Sequence, residues 1–276
     1  ASGAKPQTGE KISPTKGAPR RHGNGGLAEL TNVRQRKIPK LAEVRVLKRK
    51  DITADLLVMW FEKPDGFTFK AGQYCTIGRD DVERAYSIVS APHEEFLELF
   101  FELVPHPQGV LTPKLWKLSV GDTVTIRPRA KGIFILKPAL TNQLFVATVT
   151  GVVPYISIIR DYLHDNREGH HFHVLQGASY QGEFAYNGEL ESLASCNPNV
   201  ITYVPTASRP KEERNVGRTG ITGRVNLIVE EYLYELGLSP YSALVYACGH
   251  PGMIQDVKAR LTPKGFKITE ECFWKQ

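Results

Sequence analysis

The sequence predicts two folded domains in series: a small antiparallel β-barrel, then an α/β domain built on a parallel sheet. Three observations predict this. Residues 40–138 read as short strands separated by turn residues. From about 140, apolar strands alternate with helical patterns, the signature of a parallel sheet covered on both faces. The length, 276 residues, accommodates two ordinary domains.

Before the first strand lies a different kind of segment. Residues 1–38 are rich in Gly, Pro, Ser, Thr and Lys, have few large apolar residues, and are expected to be disordered. The basic charge is concentrated there. Residues 1–40 hold nine Lys/Arg against two Glu, leaving 26 basic and 27 acidic residues over the rest of the chain. The folded body is therefore nearly neutral, and nucleic-acid binding is not implied. The tail reads as a flexible appendage, a targeting remnant or a basic arm for an acidic partner. No apolar run approaches the length of a membrane span, and the first residues lack the apolar stretch of a secretory signal. The four cysteines, Cys75, Cys196, Cys248 and Cys272, are far apart and match no iron–sulfur or zinc spacing. They suit a reducing compartment, with a cytoplasmic location expected, or an organelle if the tail is a targeting remnant.

In the first domain, strands are expected at 43–48, 55–62, 73–78, 84–91, 96–104 and 123–129. Pro64-Asp65-Gly66, Ala91-Pro92, residues 105–109 and Val120-Gly121-Asp122 separate them. A short helix fits 112–117, with Thr112 as N-cap and Pro113 in the first turn. In the second domain, strands are expected at 143–148, 171–177, 200–205 and 243–247, and helices at 154–164, 182–193, 225–235 and 252–261. We place the domains at 39–138 and 139–276.

Chemistry collects at a few points. Arg84-Ala85-Tyr86-Ser87 carries a permanent cation, an aromatic plane and a hydroxyl. Strand alternation puts Arg84 and Tyr86 on one face, with Ser87 opposite unless the strand ends there. A cation and a ring on one face suit a ligand with a phosphate and a flat heterocycle, such as a flavin nucleotide; a surface Arg beside a half-buried Tyr is the plainer reading. Gly109 lets the backbone approach a ligand, and the amides at Leu111 and Thr112 would face an anion. After the first parallel strand, Thr148-Val-Thr-Gly-Val-Val-Pro154 gives a Gly turn and a Pro-started helix, a nucleotide-phosphate arrangement. Cys248 would stand at the tip of the 243–247 strand, or be a small buried hydrophobe. Arg209, Arg214, Arg218 and Arg224 suit a phosphate monoester such as the NADP 2′-phosphate, or form a solvated basic loop. His170, His171 and His173 do not make a convincing metal site.

The order of these motifs resembles the ferredoxin/flavodoxin–NADP(+) reductase family, in its bacterial branch. Seven carry the resemblance over residues 40–274: Arg84-Ala-Tyr-Ser87, Gly109-Val-Leu-Thr112, Thr150-Gly-Val-Val-Pro154, Ser208-Arg209, Thr222-Gly-Arg224, Cys248-Gly-His-Pro-Gly-Met253 and Phe273-Trp274. The resemblance implies a β-barrel FAD-binding domain followed by an NADP-binding domain. It implies electron exchange between NADPH and a one-electron carrier, ferredoxin or flavodoxin. Tyr86 would stack on the flavin, Arg84 and the 109–112 turn would hold the FAD pyrophosphate, and Ser87 would lie near flavin N5. Thr150, Gly151 and Cys248 would line the nicotinamide pocket, and Ser208, Arg209 and Arg224 would recognise the 2′-phosphate. Phe273 would cover the other flavin face, with Trp274 near the adenine. Ser87, Cys248 and Tyr86 are the residues nearest the chemistry. Two alternatives have the same architecture: an NADH-dependent reductase component of an oxygenase, and a flavin-binding subunit of a larger complex. Three positions depart from the family pattern. Val149 stands where relatives usually have Gly, Ser179 stands where bacterial relatives often have Arg, and Lys275-Gln276 extend beyond the terminal Trp.

Overall fold

The computed structural model describes residues 41–272; the tail, Phe273 and Trp274 lie outside the described residues. Six strands form the first sheet: β1 (Ala42–Thr53), β2 (Leu56–Glu62), β3 (Tyr74–Arg79), β4 (Val82–Ser87), β5 (Phe96–Glu102) and β6 (Thr123–Ile126). Their order is β4-β3-β6-β1-β2-β5, and every pairing is antiparallel. The two edges meet through an antiparallel bridge between Ile88 and Leu99, which closes the sheet into the expected barrel. Alternate residues such as Val44, Val46, Leu57, Met59, Phe61, Leu97 and Leu99 fill its interior.

The strand expected at 84–91 ends earlier. Ser87 is the last residue of β4, and it shares a cavity with Arg84 and Tyr86. Helix α1 (Thr112–Leu115) is shorter than expected, and its N-cap is Leu111. The Thr112 hydroxyl is occupied elsewhere: it donates to Val104 O at 2.9 Å and accepts from Val104 N at 3.0 Å.

The second sheet is parallel throughout, in the order β11-β10-β7-β8-β9. Its strands are β7 (Asn142–Thr148), β8 (His171–Ala178), β9 (Ile201–Ala207), β10 (Ala243–Gly249) and β11 (Ile268–Cys272). Four helices alternate with them: α2 (Val153–His164), α3 (Asn187–Cys196), α4 (Val225–Glu235) and α5 (Pro251–Leu261). Side chains of α2 and α3 pack in one core with Phe145 and Tyr246, while α4 and α5 pack with Leu144, Val146 and Val245 in the other. The first of these cores also takes in Leu56, Val58 and Phe100 of the barrel, so the two sheets are joined by continuous apolar packing.

From β7 the connections run to β8 on one side and return to β10 on the other. The reversal leaves a crevice beyond the carboxyl ends of β7 and β10, where ligands bind in such sheets. The histidines are structural. His171 and His173 hydrogen-bond through both ring nitrogens to Asn199, Thr202, Tyr232 and Asn142. Burial, then His171, pushes His173 down to about 4. Among the described residues no group of three or more His, Cys, Asp or Glu could hold a metal ion, and no helix is long and apolar enough to cross a membrane.

Candidate functional site

A cavity of about 400 Å³ lies where the barrel faces the start of α2. Arg84, Tyr86 and Ser87 form its barrel wall with Phe100 and Glu102. Gly109, Leu111 and Thr112 contribute from the turn before α1, and Thr150 and Val153 come from the second domain. Seven residues singled out by sequence thus share one space. Tyr86 is braced edge-on by Phe101, with ring centroids 4.7 Å apart, and burial raises its phenol pKa. The Arg84 guanidinium makes one hydrogen bond, to the carbonyl of Glu83, and no ion pair among the described residues. Gly109 is required by packing: a Cβ there would lie 1.7 Å from Val104 O. The amides of Val110 and Leu111 donate to no backbone acceptor among the described residues and remain available to a ligand.

The switch-point crevice adjoins this cavity through the 3₁₀ turn Val149–Val152. Val149 has φ +42°, a backbone conformation that strains a β-branched residue. Its carbonyl is tied by Gln176 Nε2 at 3.2 Å. Gly151 and Gly249 let the two crevice turns touch. A Cβ on Gly151 would lie 2.1 Å from Cys248 O, and one on Gly249 would lie 2.3 Å from Thr148 Oγ1. His250 N closes the contact by donating to Thr148 Oγ1 at 2.8 Å. Cys248 is 0% exposed within the α2 core; burial, then Glu271, raises its thiol well above the ordinary value. It is a neutral thiol, able to shape the crevice floor rather than act as a nucleophile.

Sequence reasoning missed Glu271. It lies on β11, opposite Cys248 in the strand register, and Ser87 Oγ donates to its Oε2 at 3.2 Å. Burial pushes the carboxyl up to about 7, and the Ser87 hydrogen bond opposes that rise. A hydroxyl and a carboxyl poised near neutrality at the edge of a cavity can hold and exchange a proton. The run Ile268-Thr-Glu-Glu carries no alternation that would have marked it.

The arginine group sits apart, beyond the ends of β8 and β9. Ser208 N donates to Ala178 O at 2.9 Å. Arg209 Nη1 donates to Tyr180 OH at 3.0 Å and approaches Glu212 Oε1 at 3.4 Å. Arg214 stacks over the Tyr180 ring at 3.7 Å. Arg218 braces the loop through the carbonyls of Ile221 and Pro205. Arg224, the exposed N-cap residue of α4, has no side-chain hydrogen bond or ion pair among the described residues.

Residues 145–259 match the family described as the oxidoreductase NAD-binding domain. The chain is 29% identical over 248 residues to ferredoxin–NADP reductase A of Sorangium cellulosum, covering 83% of this chain and 86% of that one. It is similar in fold to a ferredoxin NADP+ reductase from Neisseria gonorrhoeae solved with bound FAD and NADP. There the TM-score is 0.75 at 24% identity, over 85% of this chain and 99% of that chain. It is 30% identical over 200 residues to the flavodoxin/ferredoxin–NADP reductase of Escherichia coli K12, covering 69% of this chain and 77% of that protein. With the barrel, the parallel sheet and their shared cavity, this places the chain in the flavodoxin/ferredoxin–NADP reductase family of oxidoreductases.

Proposed function

We propose that the protein is an FAD-dependent reductase that passes electrons between NADPH and a small acidic one-electron carrier, ferredoxin or flavodoxin. One observation carries this reading: the barrel's cation, ring and hydroxyl converge with the nucleotide turn of the second domain on a single cavity. We place the division between the FAD-binding and NADP-binding domains at 138/139.

The residues present fit the cofactor. Arg84 is free of ion pairs among the described residues, the amides at 110 and 111 are uncommitted, and Tyr86 provides an aromatic wall. These are the donors and the surface that a pyrophosphate and a flat ring system require. FAD, when bound, supplies the hydride acceptor and releases its two electrons singly. Arg84 and the 109–112 turn bind the pyrophosphate, and the Tyr86 ring face orients the heterocycle. Thr150, Gly151 and Cys248 shape the place where the nicotinamide is held, and the close contact of the two turns excludes water there. Ser87 Oγ and Glu271 Oε2 hold a proton at the cavity edge. Ser208, Arg209 and Arg224 receive the 2′-phosphate. The roles implied for Phe273 and Trp274 concern residues outside those described. Holding donor and acceptor in contact supplies much of the rate.

The test is an absorption spectrum before and after titration with NADPH. Yellow protein bleached by NADPH supports the reading; colourless protein that FAD cannot reconstitute refutes it. An NADH-dependent reductase serving an oxygenase is the second reading, favoured by the commitment of Arg209 to Tyr180 and Glu212. Parallel titration with NADH decides between them.

A further inference from the structure

We infer that Glu212 sets the coenzyme preference of this protein, by competing for the guanidinium that a 2′-phosphate would use. The inference rests on the reading of Arg209 and Arg224 as the 2′-phosphate site.

Arg209 is shared between the Tyr180 phenol, at 3.0 Å, and Glu212 Oε1, at 3.4 Å. The phenol in turn donates to Glu212 Oε2, so three side chains form a closed triangle. The triangle is held in place by a buried side chain rather than by the loop alone. Asn215, 2% exposed, accepts from Gln181 N at 2.8 Å and donates to Ser179 O at 2.9 Å and Arg209 O at 2.8 Å. This fixes residues 209–215 against the turn that carries Tyr180. Arg214 is also committed, stacked on the Tyr180 ring and 3.9 Å from Glu183. Of the four arginines here, Arg224 is the one with no side-chain hydrogen bond or ion pair among the described residues.

A phosphate monoester approaching Arg209 therefore meets a carboxylate already in possession. It must displace Glu212 or accept a like charge a few ångströms away. A ribose 2′-hydroxyl meets the opposite situation, because it can donate to that same carboxylate. Glu212 thus penalises the phosphorylated coenzyme and tolerates the unphosphorylated one. Discrimination falls to Arg224 working against Glu212.

The experiment is calorimetric titration of the flavin-loaded protein with 2′,5′-ADP and with 5′-AMP, followed by kcat/KM for NADPH and NADH with ferricyanide. Glu212→Gln keeps an acceptor for Tyr180 and removes only the charge. It is expected to tighten 2′,5′-ADP by about 10-fold and to raise the NADPH/NADH ratio similarly, with 5′-AMP within about twofold of its original affinity. Tyr180→Phe removes the phenol but leaves the Glu212 charge beside Arg209, and is expected to leave the ratio within about twofold of its original value. Unchanged 2′,5′-ADP affinity in Glu212→Gln, with a loss in Arg224→Ala, overturns the competition and leaves the phosphate site standing. Unchanged 2′,5′-ADP affinity in Arg224→Ala removes the phosphate site itself and the inference with it.

Discussion

Replacing Arg160 by Met tests what holds the barrel against the nucleotide domain. Arg160 on α2 donates through Nε and Nη2 to Glu189 on α3, at 2.7 and 2.8 Å, and through Nη1 to Glu98 on β5 at 2.7 Å. Glu94 lies 3.4 Å away. The Glu98 side chain is 3% exposed and accepts a second bond, from Tyr186 OH at 2.8 Å. Met keeps much of the volume of Arg160 and removes the charge, so Glu98 is left buried with one neutral donor. Breaking a buried pair from one side costs about 3–5 kcal/mol, whereas the more exposed Glu189 and Glu94 contacts add roughly 0–1 kcal/mol. In a protein of this size that lowers Tm by roughly 6–20 °C. The assay is thermal unfolding by circular dichroism at one fixed cofactor concentration. The double variant Arg160→Met/Glu98→Met should be more stable than Arg160→Met alone, because both charges are gone. A single-variant cost below about 1 kcal/mol, or a double variant worse than the single, would refute the reasoning.

Glu271 gives a pH signature. Its folded pKa of about 7 lies above the ordinary 4.5, so before cofactor binding stability should fall as pH rises between these values; Glu271→Gln should flatten that slope in urea titrations. At Val149, strain of about 1–3 kcal/mol at φ +42° opposes the packing of the side chain, so Val149→Gly should change unfolding free energy by less than about 1 kcal/mol. A loss of more than about 2 kcal/mol there would mean the conformation carries no strain. Gly151→Ala drives a Cβ to 2.1 Å from Cys248 O; it should cost about 3 kcal/mol and weaken NADPH binding in fluorescence titration.

What the sequence disclosed follows the range of the interactions involved. The barrel strands and the parallel strands β7–β10 were legible because alternation and turn residues act over a few positions. Strand β4 was drawn too long because Ile88 and Val89 continue its apolar run; Ile88 instead makes the single bridge to Leu99 that closes the barrel. Strand β11 escaped because it is an edge strand of mixed polarity that gains its place only by pairing with β10. Glu271 escaped for the same reason: it meets Ser87 across 184 residues of sequence, and no local pattern encodes that contact.

The two departures at the nucleotide end now separate into different kinds. Val149 is a backbone question, and the fold answers it by adopting the strained turn and still bringing Thr148, Gly151 and Gly249 into contact. Ser179 is a charge question, and the residues around it sharpen it. Its amide and that of Tyr180 are held by Glu183 at 2.9 and 3.1 Å, which fixes Tyr180 where it meets Arg209 and Glu212. Where the family resemblance implies a cation, this chain has a hydrogen-bonded turn facing a carboxylate. On the proposed reading, the turns that would hold a dinucleotide keep their close contact, and the choice between the phosphorylated and unphosphorylated coenzyme would rest with side-chain charge at Arg209, Glu212 and Arg224.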